Sequence, residues 1–285
     1  MRVLCLHGKG TSGDIFRSQT AALRAKLDRS FKFDFVDGPI ETSPAPGLDK
    51  LFDAGSKTYA WWTTDSAQAI RSAHAWLDDY IATHGPYDAL MGFSQGCQLI
   101  SSYLMQRARD LSTSPPPEGT PLLPFRGVIF VCGGLSFIAL AALSVDVPNK
   151  ALTIEKSSIE ALHAKTQLFR ELVSQPSQIQ RGVGLWDDTS MLVHDPGAPL
   201  PLENDVFGMD YSLTGSFPED LYTTIPTVHV YGSRDPRYPA ALQLAYTCPK
   251  RSMYDHGGGH DIPRTTEVSE RIAEMIAQLE RNICT

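Results

Sequence analysis

One pentapeptide, Gly92-Phe93-Ser94-Gln95-Gly96, constrains this chain more than any other feature. It follows the short apolar run Tyr87–Met91 and precedes the helix-like stretch Cys97–Arg109. A chain that passes from strand to helix in so few residues must turn sharply at the serine and leave its hydroxyl exposed. The two glycines permit the turn, let strand and helix approach closely, and clear space beside the hydroxyl. The pattern alone decides little. With 24 serines and 22 glycines in 285 residues, chance supplies about 0.14 occurrences. The flanking residues carry the reading.

Two further pieces lie downstream. Pro226–Tyr231 reads as a buried strand running into Gly232-Ser233-Arg234-Asp235, and the strand-like Arg251–Asp255 leads into His256-Gly257-Gly258-Gly259-His260. The order Ser…Asp…His is that of α/β-hydrolases, whose nucleophile, acid and base sit beyond strand ends. His260 is positioned to accept the Ser94 proton, and Asp235 to fix its tautomer and stabilise the imidazolium. His256 competes as base, and Asp205 and Asp210 are weaker rivals for the acid because neither follows a recognisable strand. Taken singly, such an Asp is a turn former and such a His is solvated. The order of all three favours the catalytic reading.

An acyl-transfer site also needs two N–H groups aimed at the developing oxyanion. One is expected from Gln95. By analogy with esterases whose first-strand loop begins His-Gly, the other is expected from Lys9, in His7-Gly8-Lys9-Gly10 after the strand Val3–Leu6. Gly8, Gly10 and Gly13 also fit G-x-G-x-x-G, with Asp37 as the acidic residue of a dinucleotide site. That alternative leaves Ser94, Asp235 and His260 unexplained. His7 is expected to pack rather than react. Cys97 is a poor nucleophile, since nothing near it in sequence would lower its pKa.

Together, His7-Gly8, Asp37-Gly38-Pro39, Trp61-Trp62, Gly92–Gly96, Gly232-Ser233-Arg234-Asp235 and Gly259-His260 resemble the fungal serine hydrolase (FSH) family, which groups with the human ovarian-cancer-associated hydrolase. The resemblance spans nearly the whole chain and is weakest over Leu135–Leu221. It implies an α/β-hydrolase fold and esterase or thioesterase chemistry on acyl substrates, with Ser94, Asp235 and His260 as nucleophile, acid and base. It also implies that an acyl carrier protein of a polyketide synthase could present the substrate as a thioester. A carboxylesterase acting on small free esters, and an acyltransferase or cyclase using the same triad, are the alternatives. No cofactor or metal is implied.

The remaining sequence fits a single α/β domain over 1–285. Strands are expected at Arg2–Leu6, Lys32–Val36, Ala89–Gly92, Gly127–Cys132, Thr227–Tyr231 and Ser252–Asp255. Helices are expected at Ser18–Leu27, Ser66–His84, Gln95–Leu111, Ser157–Val173 and Thr266–Glu280. This alternation predicts a mostly parallel sheet covered by helices on both faces. The proline-rich Ser112–Pro124 should be a surface loop. The stretch 135–224 is expected to be a lid insertion, because long aperiodic segments with scattered aromatics usually serve a site. Within it Leu135, Phe137, Ile138 and Phe169 are candidate walls of an acyl pocket. The net charge of −7 disfavours nucleic-acid and anionic-membrane surfaces. Five scattered cysteines without a C-x-x-C pair, and no signal-like start, suggest reduced thiols and a cytoplasmic protein. The apolar run Val128–Val145 is broken by Gly133-Gly134, so no membrane span is expected.

Overall fold

The computed structural model describes residues 1–48, 56–115, 117, 119, 121–179, 182–212 and 217–284. Positions 116, 118 and 120 of the expected surface loop, and 180, 181 and 213–216 of the expected lid, lie outside the described residues.

Six parallel strands make one sheet in the order β2-β1-β5-β6-β7-β8. They are β1 (Arg2–Leu6), β2 (Lys32–Val36), β5 (Ala89–Phe93), β6 (Gly127–Val131), β7 (Thr227–Tyr231) and β8 (Arg251–Asp255). Successive side chains of a strand point to opposite faces, and both faces of the inner strands β1, β5, β6 and β7 are buried. Leu4, Leu6, Leu90, Val128 and Phe130 enter one core with α3 (Ala67–His84), α4 (Gln95–Thr113) and α7 (Tyr238–Tyr246). Val3, Cys5, Met91, Ile129 and Val230 enter a second with α1 (Gly13–Gln19), α2 (Ala21–Arg24) and α8 (Thr266–Cys284). Each fully buried aliphatic or aromatic side chain adds about 1.5–3 kcal/mol, so the alternation fixes the strand register. An α/β-hydrolase fold with helices on both faces is the result.

Local signals set the helix boundaries. Ser66 caps α3 by accepting the Ala69 N–H at 3.2 Å. The expected buried stripe of α8, with Val268, Ile272, Met275, Ile276 and Leu279, is buried. The expected helix Ser18–Leu27 is instead two short helices divided at Thr20, whose hydroxyl donates back to the Phe16 carbonyl at 2.9 Å. The expected helix Ser157–Val173 begins earlier: α6 covers Asn149–Ser174 and follows Pro148, which cannot be a helix interior residue. Three elements were unmarked in the sequence: the hairpin β3 (Ile40–Thr42) with β4 (Thr58–Ala60), the short α5 (Phe137–Ala142), and α7.

The apolar run 128–145 divides into β6, a turn and α5. No helix among the described residues is long and apolar enough to cross a membrane. Between β6 and β7 lie α5, α6, the single 3₁₀ turns Pro176–Gln178 and Glu219–Leu221, and irregular chain.

Candidate active site

Ser94 joins β5 to α4 with φ 51° and ψ −110°, a left-handed backbone that costs a non-glycine residue energy. Its own N–H is held by the Val131 carbonyl at 3.1 Å. The flanking glycines are demanded by close approach. A Cβ on Gly92 would lie 2.7 Å from the Cys97 nitrogen. One on Gly96 would lie 2.7 Å from the Leu6 carbonyl carbon and closer still to its oxygen. Because those obstacles are backbone, Gly96→Ala should destabilise the fold by about 3 kcal/mol, the upper end of overpacking costs. A denaturant midpoint near that of the wild type would show that the elbow tolerates a methyl group.

The structure brings Ser94, His260 and Asp235 together. His260 Nε2 lies 3.0 Å from Ser94 Oγ, and His260 Nδ1 lies 2.7 Å from Asp235 Oδ2. Asp235 is fully buried, and its other oxygen accepts the Arg237 N–H at 2.7 Å. The imidazole rests against Phe93, with ring centroids 5.3 Å apart.

The competing residues turn elsewhere. His256 Nδ1 accepts the Gly258 N–H at 3.2 Å, and burial lowers its pKa. Asp205 takes Lys150 and the Gly208 N–H, while Asp210 takes the Ser212 N–H. Cys97 is buried, and burial pushes its thiol pKa well up.

Gln95 begins α4, so its N–H has no intrahelical acceptor. Its buried side chain clamps the Trp61-Trp62 segment, accepting the Trp61 N–H at 3.1 Å and donating to the Trp62 carbonyl at 2.8 Å. Lys9 lies on the adjoining loop. A Cβ on neighbouring Gly8 would stand 3.5 Å from Ser94 Cβ, so this loop runs alongside the serine. His7 organises the loop as a fully buried neutral ring. Nδ1–H donates to the Gly8 carbonyl at 2.7 Å, Nε2 accepts the Gly38 N–H at 2.9 Å, and burial lowers its pKa. Asp37 accepts the Gly13 N–H at 2.8 Å, occupying the helix N-terminus that a dinucleotide pyrophosphate would need.

A cleft of about 1100 Å³ opens over Ser94 and His260. Leu135, Phe137, Ile138 and Phe169 all line it. Three further walls escaped sequence reasoning: the 42–48 loop, Trp62 and Trp186. Trp62 stood out only within the family resemblance, and Trp186 only among the scattered aromatics of the expected lid. The loop gave no signal, because its role arises from Gly47 meeting the distant Phe169. The buried Arg237 is also in the wall, paired with Glu155 at 2.7 Å.

Among the described residues, Cys132, Asp235 and His260 are the group whose ligating atoms lie near enough, within 4.8 Å, to hold a cation. They fit one poorly. Burial keeps the Cys132 thiol protonated, and the ion would have to enter the 2.7 Å bond between Asp235 and His260.

Comparison with known proteins shows the family. The profile of the family described as Serine hydrolase (FSH1) matches residues 1–272. Esterase FPY3 of Fusarium mangiferae is 27% identical, over 99% of this chain and 96% of its own. A probable esterase, tazC, of Aspergillus terreus is 36% identical, over 98% and 92%. A solved thermophilic esterase from Thermogutta terrifontis is 15% identical, covering 100% of this chain and 91% of its own with a TM-score of 0.48. With the family profile running through the elbow, the Asp235 loop and the His260 loop alike, the chain belongs to the serine hydrolase (FSH1) family.

Proposed function

We propose that the protein cleaves acyl esters or thioesters through an acyl-enzyme on Ser94. The observation that carries this reading is the unbroken relay from Ser94 Oγ through His260 to buried Asp235, at 3.0 and 2.7 Å. In the first half-reaction Ser94 Oγ attacks the substrate carbonyl carbon while His260 Nε2 takes its proton. Asp235 holds Nδ1–H and stabilises the imidazolium. The Gln95 and Lys9 N–H groups receive the oxyanion. Collapse breaks the bond to the leaving alcohol or thiol, which takes the proton from His260. Water then repeats the sequence and releases the acid.

The cleft supports an extended acyl chain. At about 1100 Å³ it exceeds the roughly 300–1,000 Å³ of ordinary small-molecule sites. One wall is α6, where Leu152, Ile159, Leu162 and Phe169 follow one another at helical spacing among polar Glu155, His163, Thr166 and Gln167. Residues 135–224 act in this reading as a lid whose α6 shields the chain from water. A carrier-bound thioester and a free ester place the same carbonyl at Ser94, so paired substrates with one acyl group separate them.

Each methylene buried is worth about 0.8 kcal/mol, so two should raise kcat/KM roughly tenfold until the cleft is filled. Assays on acyl esters and thioesters of graded length test this. Phe169→Asp should flatten the profile while leaving Ser94 reactive to a small phosphonate. A flat profile in the wild type would overturn the acyl-channel reading in favour of small esters.

A further inference from the structure

Residues 184–194 run irregularly past the cleft and are tied down on three sides. Asp187 closes its own turn on the Gly184 N–H at 2.6 Å and meets Arg234 at 2.9 Å. Lys165 of α6, only 3% exposed, donates to the Asp188 carbonyl at 2.6 Å and to its carboxylate at 3.3 Å. His194 stacks on Tyr238 with centroids 4.5 Å apart, and its Nε2–H donates to the Ser233 carbonyl at 2.8 Å. Between these ties Trp186 covers Gly259 so closely that any Cβ there would fall inside the indole.

The anchor points are telling. Ser233 and Arg234 directly precede Asp235, and Gly259 directly precedes His260. The Arg234 N–H also donates to the Gly258 carbonyl at 2.9 Å, joining the two loops. Gly257, Gly258 and Gly259 give the His260 loop the greatest conformational freedom a chain can have. A base must nevertheless be held to about 0.5 Å, and a misplacement of about 1 Å can cost 10²-fold in rate. Something outside the loop has to restrain it. The exposed Arg234–Asp187 pair is screened by water and restrains little. The indole on Gly259 belongs to a segment fixed two residues on, where buried Lys165 holds Asp188, and it restrains the loop from outside.

We infer that residues 184–194 form a strap that clamps the acid and base loops, with Trp186 as a positioning residue acting through His260. This rests on the roles proposed for Ser94, His260 and Asp235. Trp186 also borders the cleft, so the experiment must distinguish positioning from a wall.

Trp186→Ala and Trp186→Phe are compared with wild type and Ser94→Ala. Each is measured for thermal midpoint, labelling rate by a small fluorophosphonate, and kcat and KM on acetyl and decanoyl esters. In folded Trp186→Ala the labelling rate and the acetyl-ester kcat should both fall about 10- to 100-fold, with KM little changed. Trp186→Phe, which keeps a flat ring on Gly259, should recover most of the loss. Wild-type labelling by Trp186→Ala, or an effect confined to decanoyl KM, would overturn the inference. Should Trp186→Ala fail to fold, Trp186→Leu, which keeps bulk without a flat face, is judged by the same criteria. Failure of the underlying reading looks different: Ser94→Ala would then label and turn over like the wild type.

Discussion

Ser94→Ala should abolish fluorophosphonate labelling and lower ester turnover by about 10⁶-fold, the cost typical of losing a triad nucleophile. A residual rate about 10³-fold above water is expected, because the substitution leaves the oxyanion donors proposed at Gln95 and Lys9 in place. Among the described residues, neither thiol nearest the elbow is a ready second nucleophile. Cys97 and Cys132 are buried and their thiols held protonated. The variant should fold as well as the wild type or slightly better, since the Ser94 φ of 51° is a strain any non-glycine residue shares. Circular dichroism and a denaturation midpoint establish folding, and turnover establishes the role. Normal turnover by folded Ser94→Ala would remove the acyl-enzyme reading altogether.

Most of the framework was legible because it depends on local pattern. The inner strands β1, β5, β6 and β7 are buried on both faces and appear as short apolar runs, the edge strands β2 and β8 carry polar residues, and the ends of all six come within one residue of the expected positions. The elbow was legible because Gly92 and Gly96 are fixed by backbone approach, a requirement that no side chain elsewhere can relax. Helix α7 was not legible, and the reason is physical. All nine of its residues are buried, so it has no polar face to set a 3.6-residue period. The expected start of α6, Ser157, lies inside the helix rather than at its end. Ser158 donates to the Glu155 carbonyl and accepts from Arg237, bonds that belong to a helix interior and a tertiary contact. The cleft was legible only in part. Its α6 wall shows helical spacing, whereas the 42–48 loop and Trp186 become walls only through contact with Phe169 and Gly259, far away in sequence.

Asp235→Asn should slow acylation by about 10⁴-fold without unfolding the protein. The bond made by the second carboxylate oxygen decides the outcome. Asp235 Oδ1 accepts the Arg237 N–H at 2.7 Å while Oδ2 accepts His260 Nδ1–H. An amide that keeps its oxygen on Arg237 must turn its NH₂ toward His260, making Nδ1 an acceptor and moving the ring proton to Nε2. That tautomer cannot take the proton of Ser94. The flipped amide would set NH₂ against the Arg237 N–H in a fully buried site, at a cost of about 1–3 kcal/mol. Either way the productive tautomer is scarce. His260→Ala should cost as much as Ser94→Ala, whereas His256→Ala removes only the acceptor for the Gly258 N–H and should cost less than about tenfold. Pre-steady-state acylation of the three folded variants decides the matter. An Asp235→Asn variant within tenfold of wild type would strip Asp235 of its role, and an inactive His256→Ala beside an active His260→Ala would transfer the base to His256.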